Sequence, residues 1–375
     1  MYIHFGYSEK SLANSESNLQ EISTTEKMQK YQNMSLVRYF LCLGVITSHY
    51  FILNGIPNIW CVGGEMRIGI FFAMSGFLIY SSYERHRDAR KYFHNRVTRI
   101  LPTYFTILLL SAILLAFLSS FPANEYFSSP HFWKYLGCNA LFLNFLEPSL
   151  PGVFSTENIL PAVNGALWTL KVEWAFYIFI PIFFWIVKRF RWNEKMASLA
   201  VCFLSIAYIF IMKELYHQTG NRLFHILSYQ FFGQGIYFFS GVMIYHYRKY
   251  LVEKNILFPL LASVAVYSIV LNFGGQGGLL SENILFSVVP PVASLAMVSF
   301  ALGKNICNFQ RVLGNYSYEM YLVHFPILQT LVHLGITKNL PPLLGLLISL
   351  TIIVLSAILV SKLVKLLKKY VLRID

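Results

Sequence analysis

The sequence is short of charge. Of its 375 residues only 13% are Asp, Glu, Lys or Arg, while 56% are hydrophobic and 17% aromatic. A water-soluble chain of this length cannot bury so much apolar surface, so the expected solvent is lipid. Acid is scarcer still: 17 Asp and Glu stand against 30 Lys and Arg, a formal net charge of +13. That excess invites a nucleic-acid reading. The basic residues instead fall in clusters between apolar runs and leave no basic groove with interleaved aromatics, which counts against nucleic acid. The five cysteines (Cys42, Cys61, Cys138, Cys202, Cys307) lack any CxxC or Cys/His ligand spacing. They read as packing residues, with no metal site and no disulfide framework. Residues 1–33 are polar and lack the basic-then-apolar pattern of a cleaved signal. They are expected to form a disordered cytoplasmic tail, leaving the first apolar run to act as the targeting signal. Internal repeats and an appended soluble domain are also missing.

What is present is a series of apolar runs of membrane-spanning length. Ten are read, at about 36–53, 67–83, 100–120, 167–187, 196–212, 226–246, 256–273, 283–302, 317–336 and 342–364. Basic clusters follow the even-numbered runs, as in Arg85 to Arg99, Lys188 to Lys195, Arg248 to Lys254, Lys304 with Arg311, and Lys362 to Arg373. By the positive-inside rule those loops and both termini face the cytoplasm. The expected fold is therefore an all-α integral membrane protein with ten transmembrane helices spanning 34–375. One outer loop, about 121–165, is long and rich in proline, and holds a short apolar piece, FWKYLGCNALFLNFL. That piece is too short to cross upright, which implies a re-entrant or interfacial helix and a lid or acceptor platform. Gly274–Gly278 reads as a flexible outer turn.

Five stretches carry chemistry. In the first run Arg38 and His49 lie eleven residues apart, on nearly one helix face and about 16 Å apart along the axis. A snorkelling arginine and a histidine satisfied by a neighbouring helix is the plainer account. An arginine below a buried histidine also suits the two ends of a long, anionic-headed substrate. FFAMSGF places Ser75 and Gly76 in the second run, either for close helix packing or to leave room for a narrow substrate chain. Arg96 and Arg99, at i and i+3 before Pro102, share a face at the inner surface and suit phosphates as well as lipid head groups. Trp168 and Glu173 enter the fourth run from outside. By helix rise, Glu173 sits at about the depth of His49, so the two are expected to form an oriented general-base pair, with Lys171 projecting elsewhere. In NYSYEMYLVHFPIL, His324 is expected in the inner half as a wall of an inner cavity, and Tyr318 and Ser75 are alternative oxyanion donors.

These stretches, in this order, resemble the membrane acyltransferase-3 family. The matching residues are Arg38 with His49, FFAMSG, Arg96-x-x-Arg99 with Pro102, Trp168 with Glu173, and Tyr318-x-x-Tyr321-Leu322-x-His324. The resemblance implies a stand-alone O-acetyltransferase without a fused hydrolase-like domain, sited in the bacterial inner membrane. It further implies an acyl group, acetyl first, moved from cytoplasmic acyl-coenzyme A to a hydroxyl of a cell-surface or lipid-linked glycan. Acetyl-CoA is then a donor substrate rather than a resident cofactor, bound by Arg38, Arg96, Arg99, Ser75, Gly76 and His324. Catalysis falls to His49 and Glu173, and the acceptor to Trp168 and Tyr318. A transporter or flippase for a lipid-linked glycan is the alternative from another class, and a non-catalytic scaffold the third.

Overall fold

The computed structural model describes residues 32–57, 64–154, 158–253 and 314–372. Among these every regular element is helical. In hydrocarbon a helix satisfies its own backbone, which is why lipid-soluble runs fold this way. The elements are α1 Gln32–Leu53, α2 Gly64–His86, α3 Ala89–Leu114, α4 Ala123–Ser128, α5 Pro130–Ala140, α6 Trp168–Arg189, α7 Glu194–Thr219, α8 Arg222–Ser228, α9 Phe231–Glu253, α10 Ser317–His333 and α11 Pro342–Leu367. Side-chain caps mark several starts: Asp88 accepts from Lys91 N before α3, and Asn193 from Lys195 N and Met196 N before α7. Gly220, at φ 66°, closes α7 in the left-handed conformation that glycine adopts without strain.

Five described stretches are long and apolar enough to cross a membrane: Asn33–Leu53, Ala89–Leu118, Gly165–Arg189, Glu194–Thr219 and Pro342–Leu372. They coincide with the first, third, fourth, fifth and tenth expected runs. The second, sixth and ninth runs are helices too, as α2, α9 and α10, but α10 has only 17 residues and α2 carries Arg67, Glu84 and Arg85. The seventh and eighth runs, the Gly274–Gly278 turn and residues 1–31 lie outside the described residues.

Two cores result. One joins α2, α6, α7 and α9, where Phe176 stacks on Phe238 at 4.1 Å. The other joins α1, α3, α10 and α11 to the long loop. FFAMSGF resolves into two roles. A Cβ added at Gly76 would fall 1.9 Å from Phe238 O, and one at Gly241 would fall 1.8 Å from Ala73 O, so α2 and α9 cross backbone to backbone. Gly76 therefore faces α9, the packing alternative of the sequence reading, and not the donor-binding position that the resemblance implied; the absence of a side chain there is set by the crossing.

The long loop is pinned to the bundle. Tyr126 donates to Ala112 O at 2.8 Å and Tyr104 to Asn139 O at 2.7 Å. The first part of its short apolar piece forms a helix, α5, with Trp133 exposed, and Leu141, Phe145 and Leu146 stand exposed in the turns that follow it. Glu147, 8% exposed, bonds Lys134 at 3.0 Å and holds that ammonium above its ordinary pKa. At the loop's end Asn164 donates to Leu322 O at 2.8 Å. Pro326 has no N–H for that carbonyl, so Asn164 completes a bond that α10 cannot make itself.

The helix crossing gives a stability prediction. Gly76→Val should separate α2 from α9 and lower the thermal midpoint in detergent, by overpacking of about 1–3 kcal/mol or more. Gly137→Ala, with nothing within 4 Å of the added atom, should leave the midpoint the same or higher. Equal midpoints for the two variants would contradict the crossing.

Candidate functional site

α1, α2, α3, α6, α10 and α11 surround a cavity of about 570 Å³. Arg38, Arg96, Arg99, Ser75, Glu173 and Tyr318 all line it. Residues far apart in sequence, and chosen there for charge and spacing, thus meet around one space. The reason is local for each. Arg96 and Arg99 project from the first turns of α3 on one face, and Arg38 from the first turns of α1. Ser75 is one position before the glycine that faces α9, so it points about 100° away from it and into the cavity.

Glu173 is the polar hinge of this wall. Its Oε1 accepts from Ser75 Oγ at 3.0 Å and from Tyr177 OH at 2.5 Å. Arg96 lies with its guanidinium 5.7 Å from the ring centres of both Tyr92 and Tyr177, and its Nε is buried with no hydrogen-bond partner. A buried donor without an acceptor costs free energy unless something else binds it. A cationic cavity holding an unsatisfied arginine N–H is a place made for an anion. Tyr318 donates to Ile100 O at 3.3 Å and so stands at the α3–α10 junction.

His49 does not meet Glu173. Its Nδ1 lies 2.9 Å from Nε2 of His324, with the two rings stacked at 5.2 Å. The equal depth expected from helix rise said nothing of azimuth. α1 packs against α10 and α2, whereas Glu173 faces α2 and the cavity. His324 is also not where the sequence placed it. It is fully buried, behind Tyr321, and meets His49 rather than an inner-cavity wall. Pro326 and the Asn164 bond position this turn of α10.

The two histidines form a directional chain. His324 Nδ1 lies 2.6 Å from Tyr321 O, and a carbonyl can only accept, so that nitrogen carries hydrogen. The neutral ring then has a bare Nε2, which accepts from His49 Nδ1–H. His49 Nε2 is left with a free lone pair, the nitrogen of a general base.

Between histidines and cavity stands Tyr321. It lines the cavity, donates to Ala166 O at 3.0 Å and shares a 2.7 Å hydrogen bond with Thr169. His49, His324, Gly76 and Trp168 are not in the cavity wall; Trp168 sets its ring edge-on to Tyr229 at 5.5 Å. Lys171 projects away, its ammonium 4.6 Å from the Phe145 ring centre. Among the described residues no group of His, Cys, Asp and Glu is arranged to hold a metal.

Sequence reasoning missed two contributors, Arg67 and Thr169, and gave a third, Tyr321, no role. Arg67 is 3% exposed, runs along Gly44 and lies close enough to act electrostatically on His49; an arginine inside the apolar run of MRIGIFF was the available signal. Tyr321 stood in the Tyr318-x-x-Tyr321-Leu322-x-His324 motif but was given no role, and Thr169 gave no signal, since a lone hydroxyl in a lipid helix is ordinary packing.

A family model described as an acyltransferase domain matches residues 31–362. An O-acetyl transferase of Shigella phage Sf6 is 25% identical over 316 residues, 82% of this chain and 89% of that protein. The peptidoglycan O-acetyltransferase OatA of Listeria monocytogenes is 25% identical over 337 residues, 81% of this chain but 50% of that protein. Nodulation protein 10 of Rhizobium leguminosarum bv. viciae is 27% identical over 173 residues, 42% of this chain and 46% of its own length. No solved structure matches the chain.

Accessibility tests the cavity. With the native cysteines replaced by Ala, Ser75→Cys should react with a charged, membrane-impermeant thiol reagent supplied from the side bearing Lys365 and Lys368. Reaction only from the opposite side would contradict the geometry.

Proposed function

Because the chain belongs to the acyltransferase-3 family, with the domain match covering residues 31–362, we propose that this acyltransferase moves an acyl group from acyl-coenzyme A to a glycan hydroxyl. Acetyl is the first choice of acyl group. The relatives named O-acetyltransferases support it, one of them named for peptidoglycan. The proposed setting is the bacterial inner membrane, with ten spans over residues 34–375, a cytoplasmic tail over 1–33 and both termini in the cytoplasm. The cavity then opens on the cytoplasmic side, and the pinned loop of α4 and α5 lies outside.

The observation that carries the reading is an arginine-lined cavity whose wall includes Tyr321, the ring that packs against His324 of the hydrogen-bonded histidine pair. In the proposed reaction Arg38, Arg96 and Arg99 hold the donor phosphates and the pantetheine arm extends past Ser75 toward Tyr321. The Tyr321–Thr169 pair swings aside to admit the thioester carbonyl. His49 Nε2 takes the proton of the acceptor hydroxyl as its oxygen bonds to that carbonyl carbon. The tetrahedral intermediate collapses, the carbon–sulfur bond breaks, and the thiolate leaves with the proton from His49. His324 acts through His49, holding the tautomer, and Glu173 through Ser75 and Tyr177, ordering the cavity wall. General-base assistance supplies about 10²–10⁴-fold, and positioning must supply much of the rest.

Acyl transfer in proteoliposomes tests this. His49→Ala should lower turnover by about 10²-fold or more while donor binding persists, and Arg96→Ala should weaken donor binding. His324→Ala should lower kcat with little change in the donor KM, as loss of an interaction felt in the transition state does. Full turnover by the His49 variant would remove the base. Glycan movement without covalent change would favour a transporter.

A further inference from the structure

The cavity has more cationic surface than the arginines account for. Lys365 and Lys368, near the end of α11, line it together with Ser361 and Glu319. Sequence reading had counted those lysines as topology signals alone. Here α11 ends in a single wide turn of π-helix, Lys368–Leu372, a feature that often marks functional positions. Five basic side chains thus face two carboxylates around the described wall.

These charges fall into two groups. Arg38 and Arg96 stand beside Glu173 and Tyr177, half-buried. Arg99 lies within electrostatic reach of Arg38 on one side and of Glu319 and Lys368 on the other. Glu319 also interacts with Lys365 and is hydrogen-bonded by Ser361. Yet its Oε2 is buried without a partner. A carboxylate oxygen with a spare lone pair, flanked by two ammonium groups, fits a ligand that brings both a hydrogen-bond donor and an anion. A nucleoside bearing a phosphate monoester has both.

The geometry points to a second phosphate subsite at the cavity mouth, in which Lys365 and Lys368 take the ribose 3′-phosphate of the donor and Glu319 accepts a hydroxyl or amine of its nucleoside. This rests on the acyl-coenzyme A reading above. It divides the donor's anionic groups: the pyrophosphate goes to the arginines and the monoester to the lysines. The lysines are flexible point charges suited to a phosphate monoester dianion, whereas the planar guanidinium groups, those of Arg38 and Arg96 half-buried, suit the more confined pyrophosphate.

The probes are acetyl-coenzyme A and its 3′-dephospho analogue, with the full chain in phosphatidylcholine vesicles. The intact protein should show a KM about tenfold or more higher for the dephospho donor, the scale of a lost charge-assisted contact. Lys365→Gln with Lys368→Gln should raise the acetyl-coenzyme A KM to that level and abolish discrimination between the two donors. The thermal midpoint of the double variant should match that of the intact protein. Equal KM values in the intact protein overturn the subsite, as does a double variant that still discriminates. A lysine effect that appears only when phosphatidylglycerol is added assigns the lysines to lipid head groups and also overturns it. Absence of turnover and of binding with either donor would instead defeat the acyl-coenzyme A reading itself.

Discussion

A polar group inside hydrocarbon has only protein to bond to, and that constraint shapes this chain at every scale. It makes the apolar runs helical. It also makes each departure from a regular helix require a partner. Pro326 leaves Leu322 O without its intrahelical donor, and Asn164 supplies one from the loop. The same loop donates through Asn158 to Gln329, whose own amide returns bonds to Leu160 O and Ala162 O. The long loop is thereby tied to α10 by the very groups that α10 needs satisfied.

Two polar arrangements follow from that rule. Glu173 is bonded by Ser75 and Tyr177, within a wall of arginines. His49 is bonded by His324, and His324 by the carbonyl of Tyr321. Each is closed on itself, and Tyr321 with Thr169 separates them. In the proposed reaction that partition keeps water from the thioester until the acceptor is in place, and its opening couples donor arrival to contact with the base. Among the buried polar atoms without a partner, Arg96 Nε and Glu319 Oε2 belong to residues of the cavity wall. They are the places where a charged ligand supplies what the protein does not.

Much of this was legible in the residues. The run lengths gave helices, and eight of the ten expected spans correspond to described helices. The pairing of Arg96 with Arg99 followed from a three-residue spacing, and both line the cavity. Ser75 and Gly76 had two open readings, packing and passage. The structure gives packing to the glycine and the cavity to the serine, because adjacent residues on a helix point about 100° apart. The error was over neighbours. Helix rise led to an expected common depth for Glu173 and His49, but depth along parallel helices leaves open which helix stands beside which.

The sequence by itself determined what is periodic or compositional: lipid as solvent, helices as the elements, the basic end of the bundle, and the faces carrying Arg38, Arg96 and Arg99. These follow from hydropathy and a fixed rise and rotation per residue. Only the tertiary structure decided that His49 answers to His324 and that Glu173 belongs to Ser75 and Tyr177. It alone brought Lys365 and Lys368 to the arginines. Such pairings depend on the order in which helices pack around one another. Lipid is equally apolar on every side, so the hydrophobic pattern does not encode that order, which is set by side-chain fit and polar partners between helices distant in the chain.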